Sequence, residues 1–323
     1  MRVKIIKRSI ILFLAVYFCI VVGDTSKVIG TDITTSTGIT MTAEEYDHLR
    51  NLGFSDLAIE VMEREVFEEN INFELDSQSV VTKYYEIKEQ PELDVLLKQN
   101  SISTNEEDTN YIQTELTEDE YFKRVEANKE QLNSKSEINP ASSDQTRTSY
   151  RRLITRIQRS GSTIRLHSSF IWDTMPKTRS YDVMSISIDS MFSPKSGSQY
   201  GQQFWTTYNP NVRGPANYGS SNYSSSSSLW RKQSAGYGVR MNLRDDYSNA
   251  RVTNLEGYIY YNIVRNSSVK PRYINAYGNY SHAKKSISSS FSYNLSFGGP
   301  GISWQGISRT SFDTITTHAQ TKY

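Results

Sequence analysis

The chemistry of this 323-residue chain is sought first at its four histidines, His48, His167, His282 and His318. None lies in an HExxH pattern, no two have metal-ligand spacing, and no serine lies in GxSxG. Hydrolysis therefore has no marked nucleophile with its base and no marked metal site. Asp182 or Asp189 could reach a histidine in space, an arrangement that spacing alone does not display. His167 reads as a surface residue on the polar side of a strand, and His282, within NYSHAKK, as part of an exposed turn. The one cysteine, Cys19, stands in an apolar N-terminal block behind Phe18, where a lipoprotein needs a small residue. The remainder of the chain offers no disulfide, thiol chemistry or cysteine-bound metal. No Asp-x-Asp-x-Asp-Gly loop marks calcium. The motifs name no catalytic residue, no metal ligand and no cofactor, so the motif reading leans away from an enzyme without deciding the question.

Charge divides the chain more clearly than any motif. Residues 24–145 hold 28 Asp/Glu against 10 Lys/Arg, a net of −18, and residues 146–323 hold 7 against 22, a net of +15. The total of +1 hides two opposed halves. At the N-terminus Arg2, Lys4, Lys7 and Arg8 precede an apolar block from Ile10 to Val22 and then Gly23. That is the order of a secretory signal peptide over 1–23, with cleavage expected between Gly23 and Asp24. Its apolar block of about 13 residues is short against the roughly 20 of a membrane span. The expected product is extracellular.

The elements follow from periodicity and caps. Residues 24–132 read as an acidic, largely helical region behind a flexible lead. Thr42 with Glu45 forms a capping box opening a helix that stops at Gly53, and Ser55 caps a second helix marked by Leu57, Ile59, Val61, Met62 and Phe67. TEDEY at Thr117 echoes TAEEY at Thr42 and opens another helix ending near Leu132. Val80 to Ile87 is β-prone, and Pro91 starts or interrupts a short helix. Residues 133–149, rich in Ser, Pro and Asn, read as a linker.

From Tyr150 onward the period is two. Leu153, Thr155 and Ile157 alternate with Arg152, Ile154 and Arg156 before a turn at Ser160-Gly161. Ile164, Leu166, Phe170 and Trp172 alternate with Arg165, His167 and Ser169. Beyond a turn at Met175-Pro176, Met184, Ile186 and Ile188 alternate with Ser185, Ser187 and Asp189, so this stretch reads as a hairpin with an apolar core face. Further strands are expected at Phe204–Tyr208, Tyr237–Leu243, Ile259–Ile263 and Phe291–Phe297. Ile302–Trp304 is expected to pair behind Gly298-Gly299-Pro300-Gly301. Asn217 to Ser228, NYGSSNYSSSSS, reads as a surface loop lacking the alternating apolar residues of a lipid-facing strand. The fold class predicted is mainly β with a smaller helical N-terminal region: an antiparallel β-sandwich or jelly roll of about 7–8 strands over 150–323.

The outward side of those strands carries Arg165, His167, Arg240 and Arg244, with Tyr258 and Tyr260 on the same kind of face. A basic sheet with interleaved aromatics suits an anionic cell-wall polymer or membrane surface, held by summed charge. An alternative is that the acidic half docks on this face and masks it.

MTAEEYDHLRNLGFSDLAIEVM, VTKYYEI, WDTMPKTRSYDVMSISID and NAYGNYSHAKKSIS resemble segments of a group of uncharacterised secreted proteins of Gram-positive Firmicutes. The resemblance covers much of the chain after residue 23 and implies signal-directed export and a two-part layout. It carries no activity, cofactor or catalytic residue with it. The leading expectation is an exported non-enzymatic protein whose basic β-domain binds an anionic envelope or extracellular ligand. The alternatives are a toxin or bacteriocin-like proprotein with an acidic propeptide, and a β-sandwich enzyme acting on glycans.

Overall fold

A computed structural model describes residues 32–90, 110–136, 148–209, 217–266, 268–296, 299, 301–305 and 311–323. The expected signal segment with its Gly23/Asp24 cleavage point, residues 24–31 of the flexible lead, Pro91 and most of the linker lie outside them. Within them the chain is mainly β, with antiparallel sheets and four helices.

The N-terminal part opens with a two-residue strand pair, β1 (Ile33–Thr34) and β2 (Thr40–Met41), and then three short helices: α1 (Ala43–Asn51), α2 (Asp56–Glu60) and α3 (Arg64–Ile71). The capping box forms as its spacing dictates: Glu45 N–H donates to Thr42 Oγ1 at 3.2 Å, and Thr42 N–H donates to Glu45 Oε2 at 2.7 Å. Gly53 ends the turn at φ +98°, a conformation that favours glycine. Ser55 Oγ accepts from Ala58 N–H at 3.2 Å to start α2. The single helix expected to run through Val61 to Phe67 is broken in two. The carbonyls of Glu60, Val61 and Met62 accept from Ser36, Gln202 and Thr37 side chains instead of from the next helical turn.

The strands that follow are β3 (Ser77–Gln90), β4 (Asn110–Leu116), β5 (Thr148–Ser160), β6 (Thr163–Thr174), β7 (Tyr181–Ile188), β8 (Phe192–Pro194), β9 (Tyr200–Tyr208) and β10 (Asn217–Tyr223). Helix α4 (Glu118–Ser136) lies between β4 and β5 in sequence, with the expected cap at Thr117 and Glu120. After β10 come β11 (Trp230–Gln233), β12 (Gly236–Asn242), β13 (Arg251–Arg265), β14 (Tyr273–Ala283), β15 (Ser292–Leu295), β16 (Ile302–Gln305) and β17 (Phe312–Lys322). One sheet runs in the order β10-β9-β13-β6-β5-β3-β4, with β8 beside β13, and a second in the order β11-β12-β7-β14-β17. These are more strands than expected because β3 and β4 come from the acidic stretch and several others are pieces of two to four residues.

Two expectations are corrected. The β6 and β7 strands do not form a hairpin: β6 pairs with β5 and β13, and β7 with β12 and β14 in the other sheet. The Met175-Pro176 segment carries the chain from one sheet to the other, so the two apolar faces meet across a core rather than side by side. Leu166, Phe170 and Trp172 of β6 and Met184, Ile186 and Ile188 of β7 belong to one buried cluster with Val239, Ile259, Tyr261 and Ile315. The second correction is at Asn217 to Ser228, whose first seven residues are the edge strand β10, paired with β9 from Asn217↔Thr207 to Tyr223↔Gly201. An edge strand can be polar on both faces, which is why its Ser/Asn run shows no alternation. Only Tyr223 at its end is deeply buried.

The two large sheets approach closely around Gly278, where an added Cβ would lie 1.9 Å from Thr155 Oγ1. Thr155 in turn meets Thr317 Oγ1 at 2.6 Å and Ser168 Oγ at 3.0 Å, so buried hydroxyls satisfy one another where no larger side chain fits.

Candidate functional site

Four of the six residues expected to form a binding face come together, but beneath other elements. Arg165, His167, Tyr258 and Tyr260 lie side by side on β6 and β13, with relative exposures of 3%, 1%, 1% and 1%. The face is covered by α1–α3, whose Leu49, Leu52, Phe54, Ile59, Met62, Val66 and Phe67 share a buried cluster with Phe204, Tyr258 and Tyr260. Arg165 donates to Asn70 Oδ1 at 2.5 Å and to Glu69 Oε1 at 2.8 Å, and its guanidinium stacks 4.0 Å from the Phe73 ring centroid. Tyr260 O–H donates to the other Glu69 oxygen at 3.0 Å. His167 packs between Phe54 and Tyr258, and neither ring nitrogen has a partner. Its pKa is driven well below the ordinary histidine value, first by burial and then by Arg156 and Arg165. The reading of His167 and Arg165 as solvent-facing fails because strand alternation cannot tell water from an amphipathic helix on the polar side.

The other two arginines lie at the opposite sheet's end. Arg244 is exposed and stacks 5.4 Å from the Trp205 ring centroid. Arg240, on β12, does something more specific. Its Nη1 donates to the carbonyls of Ser289 and Phe291, and the guanidinium lies 5.5 Å from the Phe291 ring centroid. It therefore fastens the segment that connects β14 to β17.

That segment has a distinct composition, and its described residues include a short strand pair. Its strands β15 and β16 pair only with each other, from Ser292↔Gln305 to Leu295↔Ile302, and belong to neither large sheet. Phe291, Tyr293, Leu295 and Ile302 are buried with Val183, Ala283 and Phe312, while Ser289, Ser290, Ser292 and Ser303 are exposed. Side chains pin it from the sheet: Ile287 N–H donates to Ser180 Oγ at 2.9 Å, Leu295 N–H to Gln233 Oε1 at 2.6 Å, and Arg231 Nη2 to Asn294 Oδ1 at 2.9 Å. An open groove of about 330 Å³, lined by Leu229, Trp230, Arg240, Phe291 and Tyr293, lies beside it. Phe297, Gly298 and Pro300 of the expected turn lie outside the described residues.

The two strands on which this hairpin is mounted are themselves neighbours. Strands β14 and β17 pair along their whole length, ending at Ala283↔Phe312. Continued without interruption, that register would set Tyr293 opposite Ile302, whereas in β15–β16 Tyr293 sits opposite Trp304. The difference is two residues, which leaves every side chain on its own face. Between Ser286 and Ser308 the sequence contains no charged residue, with Lys284, Lys285 and Arg309 just outside. Sequence reading found the alternation at Phe291–Phe297 but not its lack of charge, which was the signal available.

A histidine and a carboxylate do assemble in space. Asp182 accepts from His282 Nδ1 at 2.8 Å, Tyr280 O–H at 2.5 Å and Ala283 N–H at 3.0 Å. Asp182 and His282 are both buried, not in the exposed turn expected for His282, and among the described residues no hydroxyl nucleophile hydrogen-bonds to His282. Asp189 instead accepts from Asn275 Nδ2 at 2.6 Å. The Asp182 group ties the end of β14 to β7, directly before the hairpin.

No family model matches the chain, and no match is found among curated proteins. Among solved structures the chain is similar to one titled "Pore forming protein", at 6% identity and TM-score 0.24, over 54% of this chain and 87% of that one. An overlap of that quality transfers neither fold nor activity.

Proposed function

We propose that the protein is an exported, membrane-acting protein whose 284–311 hairpin unrolls from its sheet and enters lipid as a continuation of β14 and β17. The observation that carries the reading is the hairpin itself: an alternating, uncharged ribbon, folded back on the one strand pair whose register it can extend. A strand crosses a bilayer with roughly 9–11 residues, apolar outward and polar inward. Around the Gly298-Gly299-Pro300-Gly301 turn, 286–297 is long enough for one such strand and the seven residues 302–308 supply most of the second, and the cations at its base suit the headgroup level.

In water the apolar side is held against Val183, Ala283 and Phe312. Lipid offers the same side chains an equivalent apolar environment, so release costs little burial once a membrane is present and much when it is absent. A single inserted hairpin would leave two edges of unpaired backbone in hydrocarbon, so the inserted form closes with further copies of the same chain. On this reading the two large sheets are the layers of a β-sandwich that acts as the scaffold. The face first expected to hold an anionic polymer is occupied by α1–α3, which moves the functional reading from that face to the hairpin.

The test is dye release from phospholipid vesicles by the full chain and by a variant in which residues 286–308 are replaced by a short Gly-Ser turn. Because Ala283 and Phe312 are already paired, the variant is expected to keep the wild-type circular dichroism and a cooperative melt, at a somewhat lower midpoint for the lost burial, and to release no dye. Absence of release by the full chain, or equal release by the folded variant, overturns the reading.

A further inference from the structure

A second feature, independent of the hairpin, lies where the α1–α2 turn meets the large sheet. A groove of about 450 Å³ opens there, walled by Phe54, Tyr258 and Ile171 and carrying three arginines, Arg50, Arg152 and Arg156. Two of the three are committed. Arg50 Nε pairs with Asp56 at 3.1 Å, and Arg152 makes a two-pronged pair with Asp173 at 2.6 and 2.9 Å. Among the described residues Arg156 has no carboxylate within ion-pair distance, and its one hydrogen bond is a long one, 3.5 Å, from Nη1 to Ser169 Oγ.

The surroundings of Arg156 make that lone cation unusual. Its guanidinium lies beside Gly53, where an added Cβ would fall 2.5 Å from Cζ, so the glycine leaves the space the side chain occupies. Its neighbours across the sheet are His167 and Val80, neither of which supplies negative charge. Burial alone pulls its pKa down to about 10, with no anion offsetting it. A planar fork of donors whose only partner is one long hydrogen bond to a neutral hydroxyl is an arrangement in which a guanidinium group can take an oxyanion in two-pronged fashion.

We propose that Arg156 anchors a binding site for a single compact oxyanion of the phosphate-ester class, with Ser169 beside it and the rings of Phe54 and Tyr258 against the rest of the ligand. The carboxylates of Asp56 and Glu256 on the same groove disfavour an extended polyanion and leave room for one charge. The phosphate belongs either to a soluble ester or to a lipid headgroup, which share this chemistry.

The experiment is calorimetric titration of the full chain with glycerol phosphate, alongside co-sedimentation with phosphatidylcholine vesicles with and without phosphatidylserine. The wild type is expected to bind at least one probe, and Arg156→Gln to weaken it about tenfold or more. Arg156→Lys, which keeps charge but not the fork, is expected to fall between. Binding of glycerol phosphate assigns a soluble ester, and binding of vesicles alone assigns a headgroup. Because Arg156 is unpaired, Arg156→Gln is expected to melt no lower than the wild type, so loss of binding is read on a folded protein. The hairpin-shortened variant is expected to bind as the wild type does, which separates failure of this site from failure of the membrane reading. Equal binding by wild type and a folded Arg156→Gln, or no binding of either probe by the wild type, overturns the proposal.

Discussion

His167 is a neutral, buried imidazole set between two arginines, and this makes it a source of acid sensitivity. In the unfolded chain it takes a proton near pH 6.5; in the folded chain burial, then Arg156 and Arg165, hold its pKa well below that. A depressed folded pKa means that its contribution is complete above the unfolded value and is lost as pH falls toward the folded one. Between those limits the loss is about 1.4 kcal/mol per pH unit. His167→Phe, which keeps a ring between Phe54 and Tyr258, is expected to remove that part of the slope. Urea unfolding at several pH values between about 5 and 7.5 checks it. Equal slopes for the two proteins would show that the imidazole is not the group responsible. The types and strand positions of Arg165, His167, Tyr258 and Tyr260 were legible from alternation alone, as was their grouping on one kind of face. Their burial was not, because the covering residues Glu69, Asn70 and Phe73 lie about a hundred residues or more away and no local pattern links the two.

The hairpin between β14 and β17 is retained by a few polar contacts and a small apolar patch, and Arg240 contributes two of those contacts. A hydrogen bond from a charged donor contributes about 1.5–3 kcal/mol when its loss leaves a buried acceptor unsatisfied. Arg240 is only partly shielded, so the lower end of that range applies. Arg240→Gln is expected to leave the global thermal midpoint nearly unchanged while speeding amide exchange across Ile287–Leu295 about tenfold. The same variant is expected to release vesicle contents faster than the wild type. Exchange confined to the wild-type rate in that segment would show that Arg240 is not its fastening. Elements with strong local rules were legible in sequence: the Thr42 and Thr117 caps, the Gly161 turn, and the alternations of β6, β7 and β13. What was missed depended on partners. The break at Val61 arises because Gln202 and Thr37 take the helical carbonyls, β10 is a strand because β9 is beside it, and β6 and β7 face rather than pair because each has other neighbours.

At the scale of the molecule, the contrast between the acidic and basic stretches does not coincide with a break in the sheet. Strand β3 belongs to the acidic stretch, yet it pairs with β5 over twelve residues, from Ser77↔Arg159 to Lys88↔Thr148. Glu86 of β3 is buried and accepts from Tyr150 O–H at 2.9 Å and from Arg124 of α4 at 2.8 Å. On the other face α1–α3 cover Phe204, Tyr258 and Tyr260. Removing residues 24–145 as a propeptide would therefore uncover an apolar face and leave β5 as a long unpaired edge carrying Leu153, Ile154 and Ile157, a template for aggregation. The fragment 146–323 expressed alone is expected to be insoluble or to bind hydrophobic dye without a cooperative melt. Co-expression with a fragment ending at Ser136 is expected to recover soluble material in which the two copurify. A fragment 146–323 that is monomeric, melts cooperatively and acts on vesicles would reverse the argument, because the acidic stretch would then be a removable cover and not part of the sheet that holds the hairpin's scaffold together.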